Sequence, residues 1–181
     1  FPHEDVHQHS GGHLAGKRLV DTQEMAAKLR AAVAAKRDPD FLVIARTDAR
    51  AVENFSGAIE RANSYLAAGA DAIFPEALQS PDEFRDFARE VKAPLLANMT
   101  EFGKSPSLGV AELDELGYRM VIFPQSAFRV SMKATEEFFR ALKSAGTPND
   151  WLDRMQTRQE LYQTLAYDPA AESWPGYGGQ R

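Results

Sequence analysis

Four short apolar runs punctuate the chain at near-regular intervals: "FLVIARTDA" (Phe41 to Ala49), "DAIFPEA" (Asp71 to Ala77), "PLLANMTE" (Pro94 to Glu101) and "MVIFPQSAFR" (Met120 to Arg129). Each opens on continuous apolar residues, as a strand buried on both faces should, and closes on polar or charged ones. Between them the apolar positions recur with the period of a helix. "SPDEFRDFAREV" places Ser80 as N-cap, Pro81 at the first helical position, Glu83 completing a capping box, and Phe84, Phe87 and Val91 on one face. "VENFSGAIERANSYLAAGA" turns Ile59 and Leu66 inward and stops at Gly69, where a left-handed C-cap is easy. Ahead of the first run, Met25, Leu29 and Val33 follow one another at i, i+4 and i+8.

The predicted order is therefore α, β, α, β, α, β, α, β, α, in units of roughly 25 to 30 residues, which means parallel strands joined by crossover helices. Such units build an open doubly wound sheet or a closed eight-stranded barrel. The polar residues favour the barrel: Arg46, Thr47 and Asp48, then Glu76, then Asn98 and Thr100, then Ser126 and Arg129 stand at or just past the C-terminal ends of successive strands, where a barrel gathers its site. An open sheet would gather it at one switch point, and no glycine-rich phosphate loop follows the first strand. Eight strands need about 250 residues, so the expectation is a (β/α)8 TIM-barrel type of which this chain supplies about the last four βα units plus C-terminal helices. Residues 1–146 are assigned to that half-barrel, 147–167 to a helical extension and 168–181 to an extended or disordered tail. Phe1-Pro2 reads as a cut rather than a natural start.

Composition narrows the chemistry. At 181 residues and 44% hydrophobic the chain can bury one sizeable core. A net charge of -5 without a basic run makes neither nucleic acid nor an anionic membrane the expected partner. The chain has no cysteine, which removes disulfides, thiolate catalysis and thiolate zinc sites. No apolar run approaches the roughly 20 residues that span a bilayer, and the expected location is the cytoplasm.

The segments "HLAGKRLV", "ARTDA", "FPEA", "LANMTEFG", "SAFR" and "MQTRQELY" resemble the C-terminal half of the isocitrate lyase and phosphoenolpyruvate mutase superfamily, over about His3 to Tyr167. The resemblance implies Mg-dependent barrels, usually tetramers with last helices swapped between subunits, that make or break bonds next to a 2-oxo acid. The implied reaction is retro-aldol cleavage of a 2-methylisocitrate-like hydroxy-tricarboxylate to pyruvate and succinate.

Site residues follow from the matching positions. Arg46 resembles the family's active-site arginine, and its planar guanidinium can hold a carboxylate bidentately and stabilise an oxyanion. Glu76 resembles the glutamate that bonds to substrate and arginine. Asn98 and Thr100 resemble a pair anchoring a distal substrate carboxylate, and Arg129 and Arg158 match arginines for substrate carboxylates and site closure. Asp48 is read as supporting its loop, outside the metal set.

The first segment departs from the family pattern. "HED" supplies Glu4, the expected magnesium ligand in this chain, with the main ligands expected in an N-terminal half that these residues do not include. "VHQHSGGHLAGK" supplies Gly12 and His13 in the family's order. The place of the family's loop cysteine is taken by Gly11 and that of its lysine by His9, with Ser10 between. In the family's cleavage a base removes the hydroxyl proton, magnesium stabilises the departing 2-oxo acid and the cysteine protonates the other carbanion. Glycine cannot donate that proton, so either Ser10, His9 or His13 takes over, or the reaction differs. His3, His7, His9 and His13 share one loop, but their spacing fits no standard zinc motif. Three readings stay open: a 2-methylisocitrate-type lyase, another superfamily reaction of the oxaloacetate hydrolase or phosphonate mutase type, and a noncatalytic half-barrel. Trp151, Leu152, Met155, Leu161, Tyr162 and Leu165 suit a swapped-helix interface, and Trp174 or Tyr177 in the tail could pin a neighbour.

Overall fold

The computed structural model describes residues 18–170. The chain divides after Ala127 into two compact units. The boundary expected at 146/147 falls within the second of them.

The first unit alternates helices and strands: α1 (Thr22–Ala34), β1 (Ile44–Thr47), a short α2 (Ala49–Val52), α3 (Phe55–Ala67), β2 (Ala72–Pro75), α4 (Pro81–Glu90), β3 (Leu96–Asn98), α5 (Val110–Glu115) and β4 (Met120–Ile122). β1 pairs in parallel with β2, Ile44 beside Ala72 and Arg46 beside Phe74, and β3 pairs in parallel with β4. A parallel bridge from Ile73 to Leu95 joins the two pairs. The strands therefore neighbour one another in chain order, 1-2-3-4. Each is shorter than its apolar run, although single backbone bonds continue past the ends, from Asp71 to Val43, Glu76 to Thr47 and Met99 to Ile122.

Local chemistry accounts for the element ends. Asp21 caps α1 by accepting from the Gln23 N–H at 2.8 Å, and the Asn54 side chain caps α3 through the Gly57 N–H at 2.8 Å. Gly69, at φ +101°, ends the α3 turn as expected. Val33 lies 3.3 Å from where a Cβ would stand there, so both backbone and packing require glycine. At the entry of β1 and β2, the Asp71 carboxylate accepts from the Val43 N–H at 2.8 Å and from Lys36 Nζ at 3.0 Å. Those two bonds, the Val43 amide first, hold its pKa below the ordinary aspartate value despite the opposing effect of burial.

Two sequence expectations need correction. On α3 the deeply buried residues are Ala58, Arg61, Ala62 and Tyr65, whereas Ile59 and Leu66 are only half-buried. The helix is rotated toward Arg61 because that guanidinium is fully used inside: it donates to Glu53, to the Val20 carbonyl at 3.0 Å and to the Tyr65 hydroxyl at 3.2 Å. On α4, Ser80 Oγ accepts from the Glu83 N–H at 3.2 Å, but Glu83 does not return the bond to Ser80. Its carboxylate takes the Gln79 N–H at 2.8 Å and the Arg50 guanidinium instead.

The core of the first unit contains Met25, Leu29, Tyr65, Ile73, Phe87 and Leu95, all fully buried. The second unit contains most of α6 (Ser126–Ala145), a 3-10 turn (Asn149–Arg154) and α7 (Arg158–Thr164). The 3-10 turn and α7 are separated at Met155 to Thr157. Thr157 starts α7 afresh with a reciprocal capping box to Glu160. None of these three elements holds a buried residue. Among the described residues, no helix is long and apolar enough to cross a membrane.

Candidate active site

At the exit of β1, alternate residues point the same way, so Arg46 and Asp48 share a side. Arg46 Nε donates to Asp48 Oδ2 at 2.8 Å and its Nη2 to Asp48 Oδ1 at 2.9 Å, a two-bond fork. Asp48 is 1% exposed. Phe74, beside Arg46 in the register, offers its ring face to the guanidinium at 5.0 Å.

β2 delivers Glu76 to the same place. Its N–H donates to the Thr47 carbonyl at 2.9 Å, extending the ladder one step beyond the strand. Its carboxylate, 3% exposed as a residue, meets Arg46 Nη2 at 3.1 Å. The next residue, Ala77, sits at φ +60° and is buried. A left-handed conformation costs a residue with a Cβ roughly 1 to 2 kcal/mol, so the turn after Glu76 is held by its surroundings. From β3, Asn98 Nδ2 donates to Glu76 Oε2 at 3.3 Å.

Donor counting revises the expected role of Arg46. A guanidinium has five N–H donors; Nε and both donors of Nη2 are engaged by Asp48 and Glu76. A second fork on a carboxylate would need one of those edges, so the bidentate grip expected from the sequence is taken up internally. Asn98 also differs from expectation. Its NH2 faces the Glu76 carboxylate, and its buried Oδ1 has no hydrogen-bond partner. An unpaired acceptor calls for a donor such as a substrate hydroxyl rather than a carboxylate.

Two carboxylates flank one guanidinium here, leaving one formal negative charge. Both are turned toward Arg46 and not toward a shared open point, and the described residues contain no group of three or more Asp, Glu or His able to hold a metal ion.

The structure brings together Arg46, Glu76 and Asn98. Thr100 follows β3, half-buried at the start of the next loop. Arg129 lies half-buried in the first turn of α6, and Arg158 is exposed at the first position of α7, both in the second unit. Glu4, Ser10, Gly12 and His13 lie outside the described residues, as do His3, His7, His9, Trp174 and Tyr177.

Sequence reasoning missed how tightly Asp48 is bound to Arg46; the R-x-D spacing at a strand exit was the available signal. It also missed two ties between successive loops. Arg50 on α2 forks onto Glu83, with Nη2 to Oε1 at 2.7 Å and Nε to Oε2 at 2.9 Å. The Ser126 hydroxyl donates to Glu101, linking the segments after β4 and β3.

Many known proteins are similar to this chain in sequence and fold. The phosphoenolpyruvate phosphomutase family model matches residues 4–143. The chain is 55% identical over 156 residues to 2-methylisocitrate lyase of Aeropyrum pernix, covering 86% of this chain and 50% of that one. It is 51% identical to 2-methylisocitrate lyase of Bacillus subtilis, covering 86% and 51%. The chain thus spans about half the length of the relatives it matches. Among solved structures, 2,3-dimethylmalate lyase superposes with a TM-score of 0.82 at 34% identity, over 99% of this chain and 62% of that one. Oxaloacetate acetylhydrolase superposes at 0.76 and 28% identity, over 92% and 61%. On the family match and these identities, the chain belongs to the phosphoenolpyruvate mutase and isocitrate lyase family.

Proposed function

We propose that the full-length protein is a Mg-dependent carbon-carbon lyase that cleaves a 2-methylisocitrate-like hydroxy-tricarboxylate to pyruvate and succinate, and that this chain supplies the last four βα units of its (β/α)8 barrel. The observation that carries the reading is Glu76. It is buried at the exit of β2 and bonded on one side to Arg46 from β1 and on the other to Asn98 from β3. Three adjacent parallel strands thus contribute to one polar cluster, as the mouth of a barrel requires. The strand order 1-2-3-4, without a reversal among these four strands, supports that reading over a doubly wound sheet.

The reaction is written as a retro-aldol cleavage. A base takes the proton of the substrate hydroxyl, the carbon bearing it becomes the carbonyl of pyruvate, and the broken bond's electron pair passes to the succinate carbon, which then takes a proton. Arg46 faces one oxygen of the substrate where charge develops. Asn98 Oδ1 accepts from a substrate hydroxyl and orients it. Glu76 keeps both side chains in place. Thr100 adds a carboxylate contact, and Arg129 and Arg158 keep the role toward substrate carboxylates that their match to the family's arginines gives them. Gly12, His13 and Ser10 belong to the loop that supplies the final proton, with Ser10 or His13 as donor. Glu4 would help to hold the magnesium, its main ligands being expected in the N-terminal half, and the ion would stabilise the negative charge on the departing 2-oxo acid.

A second reading rests on Gly11, which occupies the position of the family's loop cysteine. In a hydrolysis at a carbon-carbon bond of a 2-oxo acid the attacking water brings a proton that the departing carbanion can take, so loss of the loop cysteine is less damaging, and the likeness to oxaloacetate acetylhydrolase supports this reading. One experiment separates the two: the full-length protein with magnesium is given 2-methylisocitrate and, in parallel, oxaloacetate. Pyruvate from the first is the expected result. Oxalate from the second without pyruvate from the first would replace the lyase by the hydrolase, and neither product would leave a noncatalytic protein.

The protein is further proposed to act as a homo-oligomer, a tetramer with exchanged C-terminal helices. Support comes from the second unit, where Phe128, Met132 and Phe139 form a stripe at helical spacing, each more than half exposed. Light scattering of the purified protein tests the mass.

A further inference from the structure

We propose that Glu83 and Arg50 are positioning residues for the candidate active site, locking the turn that carries Glu76 to the exit of β1. The inference deepens the lyase reading and rests on it for the kinetic part of its test.

The turn from Glu76 to Ser80 must be held from outside, because Ala77 is left-handed at φ +60° and carries a Cβ. It is held at both ends, and each time to the same neighbour. At its start the Glu76 N–H donates to the Thr47 carbonyl at 2.9 Å. At its end the Glu83 carboxylate takes the Gln79 N–H at 2.8 Å while receiving three bonds of 2.7 to 3.0 Å from Arg50. Arg50 lies on α2, two residues past Asp48, which itself grips Arg46. Glu83 lies on α4, and its own N–H donates to Ser80 Oγ. The segment bearing Arg46 and the segment bearing Glu76 are thus tied twice, once through the backbone and once through this ion pair.

Both side chains of the pair are only about one-fifth exposed, 22% for Arg50 and 20% for Glu83, so water competes weakly for the bonds. Neither residue touches Arg46 or Glu76 in any contact described, so they act on the chemistry through the turn. The carboxylate has two different jobs: it answers a charge and it accepts from a backbone amide. That double role distinguishes a positioning residue from an ordinary ion pair, and it makes the site asymmetric. Exchanging the two charges would rebuild the attraction, but an arginine at position 83 has no acceptor for the Gln79 N–H.

The test uses Glu83→Gln, Arg50→Met, Arg50→Lys and the double exchange Arg50→Glu with Glu83→Arg in the full-length protein. For pyruvate release, Glu83→Gln and Arg50→Met are expected to lower kcat about tenfold with KM little changed. Arg50→Lys should recover part of the loss, and the double exchange should recover none. Independently of any activity, hydrogen exchange at the Glu76 amide should quicken about tenfold in Glu83→Gln. The Asp71 amide, bonded to the Val43 carbonyl at the other end of the same strand pair, should be unchanged. Rescue by the double exchange, or equal quickening at Glu76 and Asp71, would overturn the proposal and leave a stabilising ion pair. If the unaltered protein releases no pyruvate, the lyase reading fails and the exchange comparison still decides the positioning role.

Discussion

The two units spend their apolar residues in opposite ways. The first closes Tyr65, Phe87, Met25 and Leu29 away from water entirely. The second leaves Phe128 at 62% exposure, Phe139 at 59% and Leu152 at 60%, and buries nothing in α6, the 3-10 turn or α7. The second unit is tied together mainly by its surface chemistry: Trp151 packs edge-on against Phe138 at 5.6 Å, Arg154 stacks on Trp151 at 3.8 Å and reaches Glu137 at 3.7 Å. Burial of apolar area is the chief source of folding free energy. A unit with a core supplies its own stability, whereas one without a core takes it from whatever it packs on.

The largest effect that can test this contrast is a cavity. Phe87→Ala should destabilise by about 3 to 5 kcal/mol in urea denaturation, whereas Phe139→Ala should cost under about 0.5 kcal/mol in dilute protein while lowering the assembled mass in light scattering. Equal losses at the two positions would break the contrast. Chemistry gives the next test. Arg46→Lys, which cannot fork onto Asp48, should lower kcat for pyruvate release about 100-fold or more. Arg158→Ala in the second unit should instead raise KM by about tenfold. A kcat loss at Arg158 as large as that at Arg46 would show that the second unit shares the reacting centre.

Acid gives a smaller effect. Burial raises the Glu83 pKa, but the Arg50 side-chain bond, the Gln79 N–H and the Arg50 charge together outweigh it and leave it below the ordinary glutamate value. A depressed carboxyl contributes stability above its unfolded pKa and loses it as pH falls through the folded value. The melting temperature should therefore fall on the acid side of the ordinary glutamate range, and less steeply in Glu83→Gln. The smallest effect belongs to the exposed pair of Arg119 and Asp114, 2.7 Å apart but about two-thirds exposed on each side. Removing Arg119 should change stability by less than about 0.5 kcal/mol.

Much of this was legible in the residues. Apolar runs and helical periods located the alternating elements of the first unit, although only β2 is buried at every position, β1 carries Arg46 and Thr47, and β4 is half-buried throughout. Ser80 and Gly69 marked ends correctly, since capping depends on one residue and its immediate neighbours. The face of α3 was misread because Arg61 counts as polar in any pattern, and its burial depends on acceptors as distant as the Val20 carbonyl. Strand exits placed Arg46, Glu76 and Asn98 together, but the partition of Arg46's donors could not be read from spacing. Nor could the second task of Glu83, which a capping-box pattern assigns to the wrong amide.

The strand order has a bearing on how the chain assembles. From Ile44 to Ala72 is 28 residues, from Ile73 to Leu95 is 22 and from Leu96 to Met120 is 24. No ladder in the first unit waits for a partner far along the polypeptide, so each closure costs little chain entropy and the mean sequence separation of contacts stays low. Each strand's partner lies one βα unit away, so the ladder from β1 to β2, and with it the pair of Arg46 and Glu76, closes a short loop that requires no residue beyond β2.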